Sequence, residues 1–242
     1  MIGEKRDRGT VRILLAVGIV MALVLGYFAF RWWTQGSGPR QAQVFAWFRD
    51  PSSLSDRMMQ LGQQCEGAPF IFPTDGLVGF LWGDSFRPGH AHQGIDIFPG
   101  VPAGEVPVVA AYDGYLTRLP EWKSTVIIRI PDDPLRPGRQ IWTYYTHMAD
   151  RQGNSFVSEA FPPGTTEAFV PAGTFLGYQG NFSGEPGNPT GVHLHFSIVM
   201  DDGSGRFMNE LEIRNTYDPS PYLGLDLNAD ENPDTIPVCE TG

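Results

Sequence analysis

Gly191-Val192-His193-Leu194-His195-Phe196-Ser197 carries two imidazoles one residue apart in a run of β-forming character. Successive side chains of a strand alternate faces, so His193 and His195 point one way and Leu194 and Phe196 the other. Two half-buried imidazoles side by side are costly unless something binds them or their protons. A divalent metal does so, because neutral imidazole is the commonest metal ligand. An exposed His-x-His on a surface strand is the plain alternative while these residues are taken alone.

The other histidines favour the metal. The chain has five: His90, His92, His147, His193 and His195, in three short segments that otherwise read as strands. In Gly89-His90-Ala91-His92-Gln93-Gly94-Ile95-Asp96-Ile97 an extended backbone puts His92, Gly94 and Asp96 on one face. Gly94 leaves nothing between the imidazole and the carboxylate. A helix would also align positions four apart, but Gly94, the β-branched residues and Pro99 speak against one. A nitrogen and a carboxylate oxygen from this pair, with one imidazole of the second pair, make three protein ligands. That is the catalytic zinc pattern, whose fourth position is left to water.

His92-x-Gly94-x-Asp96 followed by His193-x-His195 resembles the paired signature of the M23 metallopeptidases, the lysostaphin-type, LytM-like peptidoglycan endopeptidases. The likeness continues through Pro107 to Tyr115, through Tyr145-Thr146-His147-Met148, and through the Gly-rich Gly173 to Gly180, and spans about residues 70–224. The resemblance implies that His92, Asp96 and His195 hold zinc. It implies that His147 and His193, which are not ligands, orient water, accept its proton and stabilise the oxyanion. No His-Glu-x-x-His helix exists to supply the general base of other zinc peptidases. His90 is left over and reads as a loop residue near the groove. Trp82, Tyr112 and Tyr145 read as core or rim packing. Ser197 departs from the family, many of whose members carry an acidic residue there.

From Phe70 onward short apolar runs alternate with Gly, Pro and Asp turns, which predicts a mostly β domain. Strands are expected at 77–82, 94–98, 106–111, 115–119, 125–130, 140–147, 174–178 and 192–199, with Asp113-Gly114 as a hairpin turn. Periodicity alone gives a barrel or sandwich. The resemblance implies an antiparallel, sandwich-like sheet with an open groove and the metal on its floor. Residues 149–171 and 181–190 form connections longer than the family pattern. Asp201 to Gly205 reads as a turn, since it lacks the ligand count of a calcium loop.

The flanks set the context. Net charge is −10, which excludes nucleic-acid binding as a main task. Residues 1–12 carry Lys5, Arg6, Arg8 and Arg12, and Ile13 to Phe30 runs without a charge. That length predicts a single transmembrane helix over 13–33, with Tyr27, Trp32 and Trp33 at its outer interface and residues 1–12 in the cytoplasm. A cleaved signal peptide is the rival; it has a shorter apolar region and a small-residue cleavage site. Both readings put the chain beyond Arg40 outside the cytoplasm. Residues 34–69 read as a stalk and a short helical segment, capped by Ser52, Ser53 or Ser55, that carries Met58, Met59 and Leu61. Residues 225–242 read as an acidic tail. Cys65 and Cys239, the only cysteines, are expected to pair in an exported chain. The reading as a whole is a membrane-anchored zinc endopeptidase acting on peptide bonds in the stem peptides or cross-bridges of peptidoglycan. A non-catalytic envelope scaffold or activator, or a wall-binding module, is the alternative.

Overall fold

The structure, a computed structural model, describes residues 8–34, 39–85, 90–225 and 236–239; within the first of these segments it describes the side chains of 14–28. The chain forms two compact units, Met1–Gly38 and Pro39–Gly242. The described residues of the first form helix α1 (Arg8–Thr34). Its described side chains, 14–28, are all exposed. Among the described residues no helix is long and apolar enough to cross a membrane. The span expected over 13–33 reaches beyond the described side chains at both ends.

The second unit opens with helix α2 (Pro39–Arg49) and a 3₁₀ segment, Pro51–Arg57. Residues 39–49, placed by sequence in a stalk and short helical segment, bury Val44 and Trp47 against Leu77, Phe98 and Ile236. The helix cap expected from a serine is instead Asp50, whose Oδ1 accepts from the Ser52 N–H at 3.1 Å. Met58, Met59 and Leu61 are not helical. The Met59 backbone pairs with Gly76 at 2.8 and 3.0 Å, which draws its side chain into the core.

Among the described residues the β domain has ten strands: β1 (Leu77–Phe80), β2 (Ile95–Phe98), β3 (Pro107–Val109), β4 (Gly114–Thr117), β5 (Val126–Ile130), β6 (Ile141–Thr146), β7 (Ala168–Val170), β8 (Phe175–Tyr178), β9 (Leu194–Met200) and β10 (Thr216–Tyr217). All pairings are antiparallel. One sheet runs β1-β2-β9-β6-β5-β4-β7, with β10 also on β9; β3 and β8 form a small second sheet. Strand parity sorts the residues. Ile95, Ile97, Ile128, Tyr145, Leu194 and Phe196 face the main core, where Val108 and Leu176 of the small sheet meet them. Ile127, Trp142, Tyr144 and Val199 form a smaller cluster on the opposite face. Asp96 and His195 belong to that opposite face, so the sheet offers chemistry on one side and apolar support on the other.

Two strands escaped the sequence reading. β7 lies inside the long 149–171 connection and pairs with the edge of β4, and β10 has only two residues. Cys65 and Cys239 are disulfide-bonded, with Cα atoms 5.2 Å apart. The acidic residues Asp226, Asp230, Glu231 and Asp234 of the expected tail lie outside the described residues.

Candidate metal centre

Register brings the key residues together. β2 and β9 pair so that Asp96 stands opposite His195, and β6 lies on the other side of β9 with Thr146 opposite the same histidine. His92 precedes β2 in a loop fixed by two backbone bonds, His92 N–H to Asp84 O at 2.8 Å and Gly83 N–H to His92 O at 2.9 Å. Gly94 holds β2 close to β9. A Cβ there would lie 2.3 Å from the Phe196 carbonyl oxygen and 2.5 Å from Ser197 Oγ. The glycine is therefore needed for the approach of two strands, rather than to clear the space between His92 and Asp96.

Three ligand atoms converge. His92 Nε2 is 3.0 Å from Asp96 Oδ1 and 3.0 Å from His195 Nδ1, and His195 Nδ1 is 2.8 Å from Asp96 Oδ1. Among the described residues this is the group of His, Cys, Asp and Glu side chains that could hold a metal. Each imidazole is oriented from behind. His92 Nδ1 lies 3.0 Å from the Leu81 carbonyl, and His195 Nε2 lies 2.8 Å from Ser197 Oγ. With the protons on those outer nitrogens, three lone pairs face one another. That arrangement is repulsive unless protons or a cation lie among them. Ideal tetrahedral zinc bonds of 2.0–2.1 Å put donor atoms roughly 3.3 Å apart. The site needs to open by only a few tenths of an ångström. The donor set therefore fits zinc.

The electrostatics agree. Burial would raise the Asp96 carboxyl, but the facing His92 and His193, with hydrogen bonds from His195 and His92, hold it well below the usual carboxylate range. Burial would lower His92; the Asp96 charge and hydrogen bond, with smaller help from Leu81 and Asp84, raise it instead. His195 is lowered, by burial first, against the pull of Asp96.

The other two imidazoles flank this group. His193 lies just before β9, its N–H bonded to Gly180 O at 3.1 Å, and its Nε2 is 3.6 Å from Asp96 Oδ1. His147 follows β6 in the left-handed region, at φ 73°. The two rings are 4.4 Å apart. His193 Nδ1 contacts the Gly191 carbonyl at 2.8 Å and His147 Nδ1 the Phe182 carbonyl at 2.6 Å. Protons held at Nδ1 leave Nε2 of each ring as the unprotonated nitrogen. Burial, then the neighbouring His193 and His195, lowers His147 to about 3, so it is neutral at ordinary pH. Gly180 is required here, since a Cβ would lie 2.1 Å from Ala149 O and 2.4 Å from His147 O.

All five residues line one cleft of about 640 Å³. Its walls include Glu121, Trp122, Tyr144, Phe182, Glu210 and Leu211. His90 is on the cleft wall, outside the ligand group. Trp82, Tyr112 and Tyr145 pack as expected: Trp82 Nε1 donates to Thr216 Oγ1 at 2.9 Å, Tyr112 lies against Phe70, and Tyr145 is buried with its hydroxyl accepting from the Ala111 N–H at 2.8 Å. The Asp201–Gly205 segment is a turn closed by the Asp201 carboxylate on the Gly203 N–H. The sequence reading missed the groups behind the histidines. Only Ser197 had a signal, its parity with His193 and His195.

No protein-family model matches the chain, and no curated protein does. Solved structures do. A Ruminococcus gnavus protein assigned as a glycyl-glycine endopeptidase, lytM, is 26% identical over 54% of this chain and 45% of that one, with a TM-score of 0.35. Lysostaphin is 22% identical over 68% of this chain and 57% of its own, with a TM-score of 0.39. A catalytic-domain mutant of the prophage-encoded M23 protein EnpA from Enterococcus faecalis is 23% identical over 62% and 95%, with a TM-score of 0.36. The chain spans about half the length of the first two. The overlap with each is partial.

Proposed function

We propose that the chain is a zinc-dependent endopeptidase that hydrolyses peptide bonds in the stem peptides or cross-bridges of peptidoglycan. The observation that carries this reading is the convergence of His92, Asp96 and His195 within 3.0 Å, beside the imidazoles of His147 and His193, whose Nδ1 atoms face carbonyls, on the floor of an open cleft. The choice of peptidoglycan rests on the motif resemblance. Zinc, when bound, supplies Lewis acidity, polarising a peptide carbonyl and acidifying water. His92, Asp96 and His195 would hold it. His147 and His193 supply the proton relay. An Nε2 lone pair takes a proton from the attacking water as its oxygen bonds to the carbonyl carbon. The resulting N–H stabilises the oxyanion, and its proton passes to the amine nitrogen as the C–N bond breaks. The carbonyls of Gly191 and Phe182 keep both rings in the tautomer this needs.

The same reading makes α1 an uncleaved membrane anchor, with residues 1–12 cytoplasmic and the β domain in the cell envelope. The charge-free run Ile13 to Phe30 supports it, as does a disulfide suited to an oxidising compartment. Protease protection of the β domain in intact cells, and its loss on permeabilisation, checks the topology.

To test the enzyme, the zinc-loaded chain is incubated with purified peptidoglycans of different cross-bridge chemistry, and released fragments are identified by mass spectrometry. New amino termini, absent with His195→Ala and His193→Ala, are expected and name the bond. A wild-type protein that binds zinc and sediments with the polymer but releases nothing would replace the enzyme with a binding or activator role.

A further inference from the structure

Helix α2 reaches the metal centre through a buried ion pair. Arg40 and Asp84 are 2% and 6% exposed, and Arg40 Nη2 donates to Asp84 Oδ1. The other carboxylate oxygen, Oδ2, accepts from the Leu81 N–H at 2.6 Å. This closes the 81–84 turn, in which the Asp84 N–H also bonds to Leu81 O at 3.1 Å. The turn holds His92 at two points: the Asp84 carbonyl takes its N–H at 2.8 Å, and the Leu81 carbonyl faces its Nδ1 at 3.0 Å. A continuous polar path therefore runs from the Arg40 guanidinium to the imidazole that presents Nε2 to Asp96 and His195.

Burying a guanidinium and a carboxylate is expensive, and an apolar pair often stabilises a fold as well or better. Their value is sought in what they orient. The pair fixes the carboxylate of a turn whose carbonyl sets the ring angle and tautomer of a ligand, the task of groups behind metal-bound histidines in general. Resting on the metal-centre reading above, we infer that Arg40 is a positioning residue for His92, which makes helix α2 a working part of the metal centre.

The test uses the full chain in detergent. Zinc affinity is measured by competition with a chelating dye, and the His92 imidazole is followed by nitrogen-15 NMR of the zinc-free protein. Arg40→Met is expected to weaken zinc about tenfold or more and to shift the His92 Nδ1–H resonance. Asp84→Asn is expected to do the same. Arg40→Lys keeps charge and stem but loses the planar fork, and lies between Met and wild type; it also serves if the Met variant does not fold. Ile130→Ala, in the main core and outside α2, lowers the unfolding midpoint and leaves zinc affinity unchanged, so general destabilisation is separated from positioning. Wild-type zinc affinity and an unmoved His92 resonance in folded Arg40→Met or Arg40→Lys would overturn the inference. If the wild type itself binds no zinc, the metal-centre reading falls, and the His92 resonance still decides whether Arg40 sets the ring.

Discussion

Gly94→Ala should severely damage zinc binding. The new Cβ would lie 2.3 Å from the Phe196 carbonyl oxygen, 2.5 Å from Ser197 Oγ and 3.0 Å from the Phe196 carbonyl carbon. Close carbon–oxygen contacts between strands settle near 3.3–3.6 Å, so residue 94 must retreat from β9 by roughly 1 Å. Two of the obstructing atoms are backbone of β9, an interior strand of the sheet, and no rotamer change moves them. His92 and Asp96 lie two residues to either side of Gly94, and their partner His195 is on β9. Metal–ligand distances tolerate about 0.2 Å, several times less than the displacement. Zinc affinity should fall by about 100-fold or more, and overpacking should cost roughly 1–3 kcal/mol of apo-protein stability. Dye competition reads the first and urea unfolding the second. Adding Ser197→Ala relieves the hydroxyl clash but leaves the Phe196 oxygen, so the double variant should stay defective. Zinc affinity within threefold of wild type in Gly94→Ala would show that the β2–β9 spacing does not set the site.

Ser197→Ala removes the hydroxyl behind His195 Nε2 and should weaken zinc by about tenfold, at a stability cost near 1 kcal/mol, measured by the same dye and urea assays. Zinc at 100 times its Kd should raise the stability of the wild type by about 2.7 kcal/mol; a chelator should reverse this in a thermal melt, and His92→Ala should show neither effect. Reducing the Cys65–Cys239 bond, which closes a separation of 174 residues, should cost up to about 5 kcal/mol; a urea midpoint that reductant lowers in the wild type but not in Cys65→Ser/Cys239→Ser checks it. In the zinc-free protein, His147 is lowered to about 3, so between there and about 6.5 the unfolded chain holds a proton that the folded one lacks. Its contribution to stability therefore falls as pH drops through that window and is constant above it. His147→Asn, a residue that tolerates the positive φ of this position, should flatten the slope in pH-dependent urea titrations.

The residues that could do chemistry were legible because strand geometry turns sequence parity into faces. His193 and His195 share a face with Ser197, while Leu194 and Phe196 enter the core, as the alternation requires. Parity does not say which strands are neighbours. That Asp96 and His195, 99 residues apart, stand directly opposite each other follows from the pairing of β2 with β9, and only the motif resemblance hinted at it. The groups that orient the imidazoles were hidden for a different reason. Leu81, Phe182 and Gly191 act through backbone carbonyls, and a carbonyl leaves no trace in residue identity. Arg40 was hidden by its own polarity. Arg40 and Gln41 occupy the buried side of α2, where a hydrophobic pattern expects apolar residues, so 34–69 read as a stalk and short helical segment, apart from the domain. Such a conflict between local pattern and burial is itself a signal: a charged residue that a small helix buries has a partner, and here the partner closes the turn that holds His92, the proposed metal ligand.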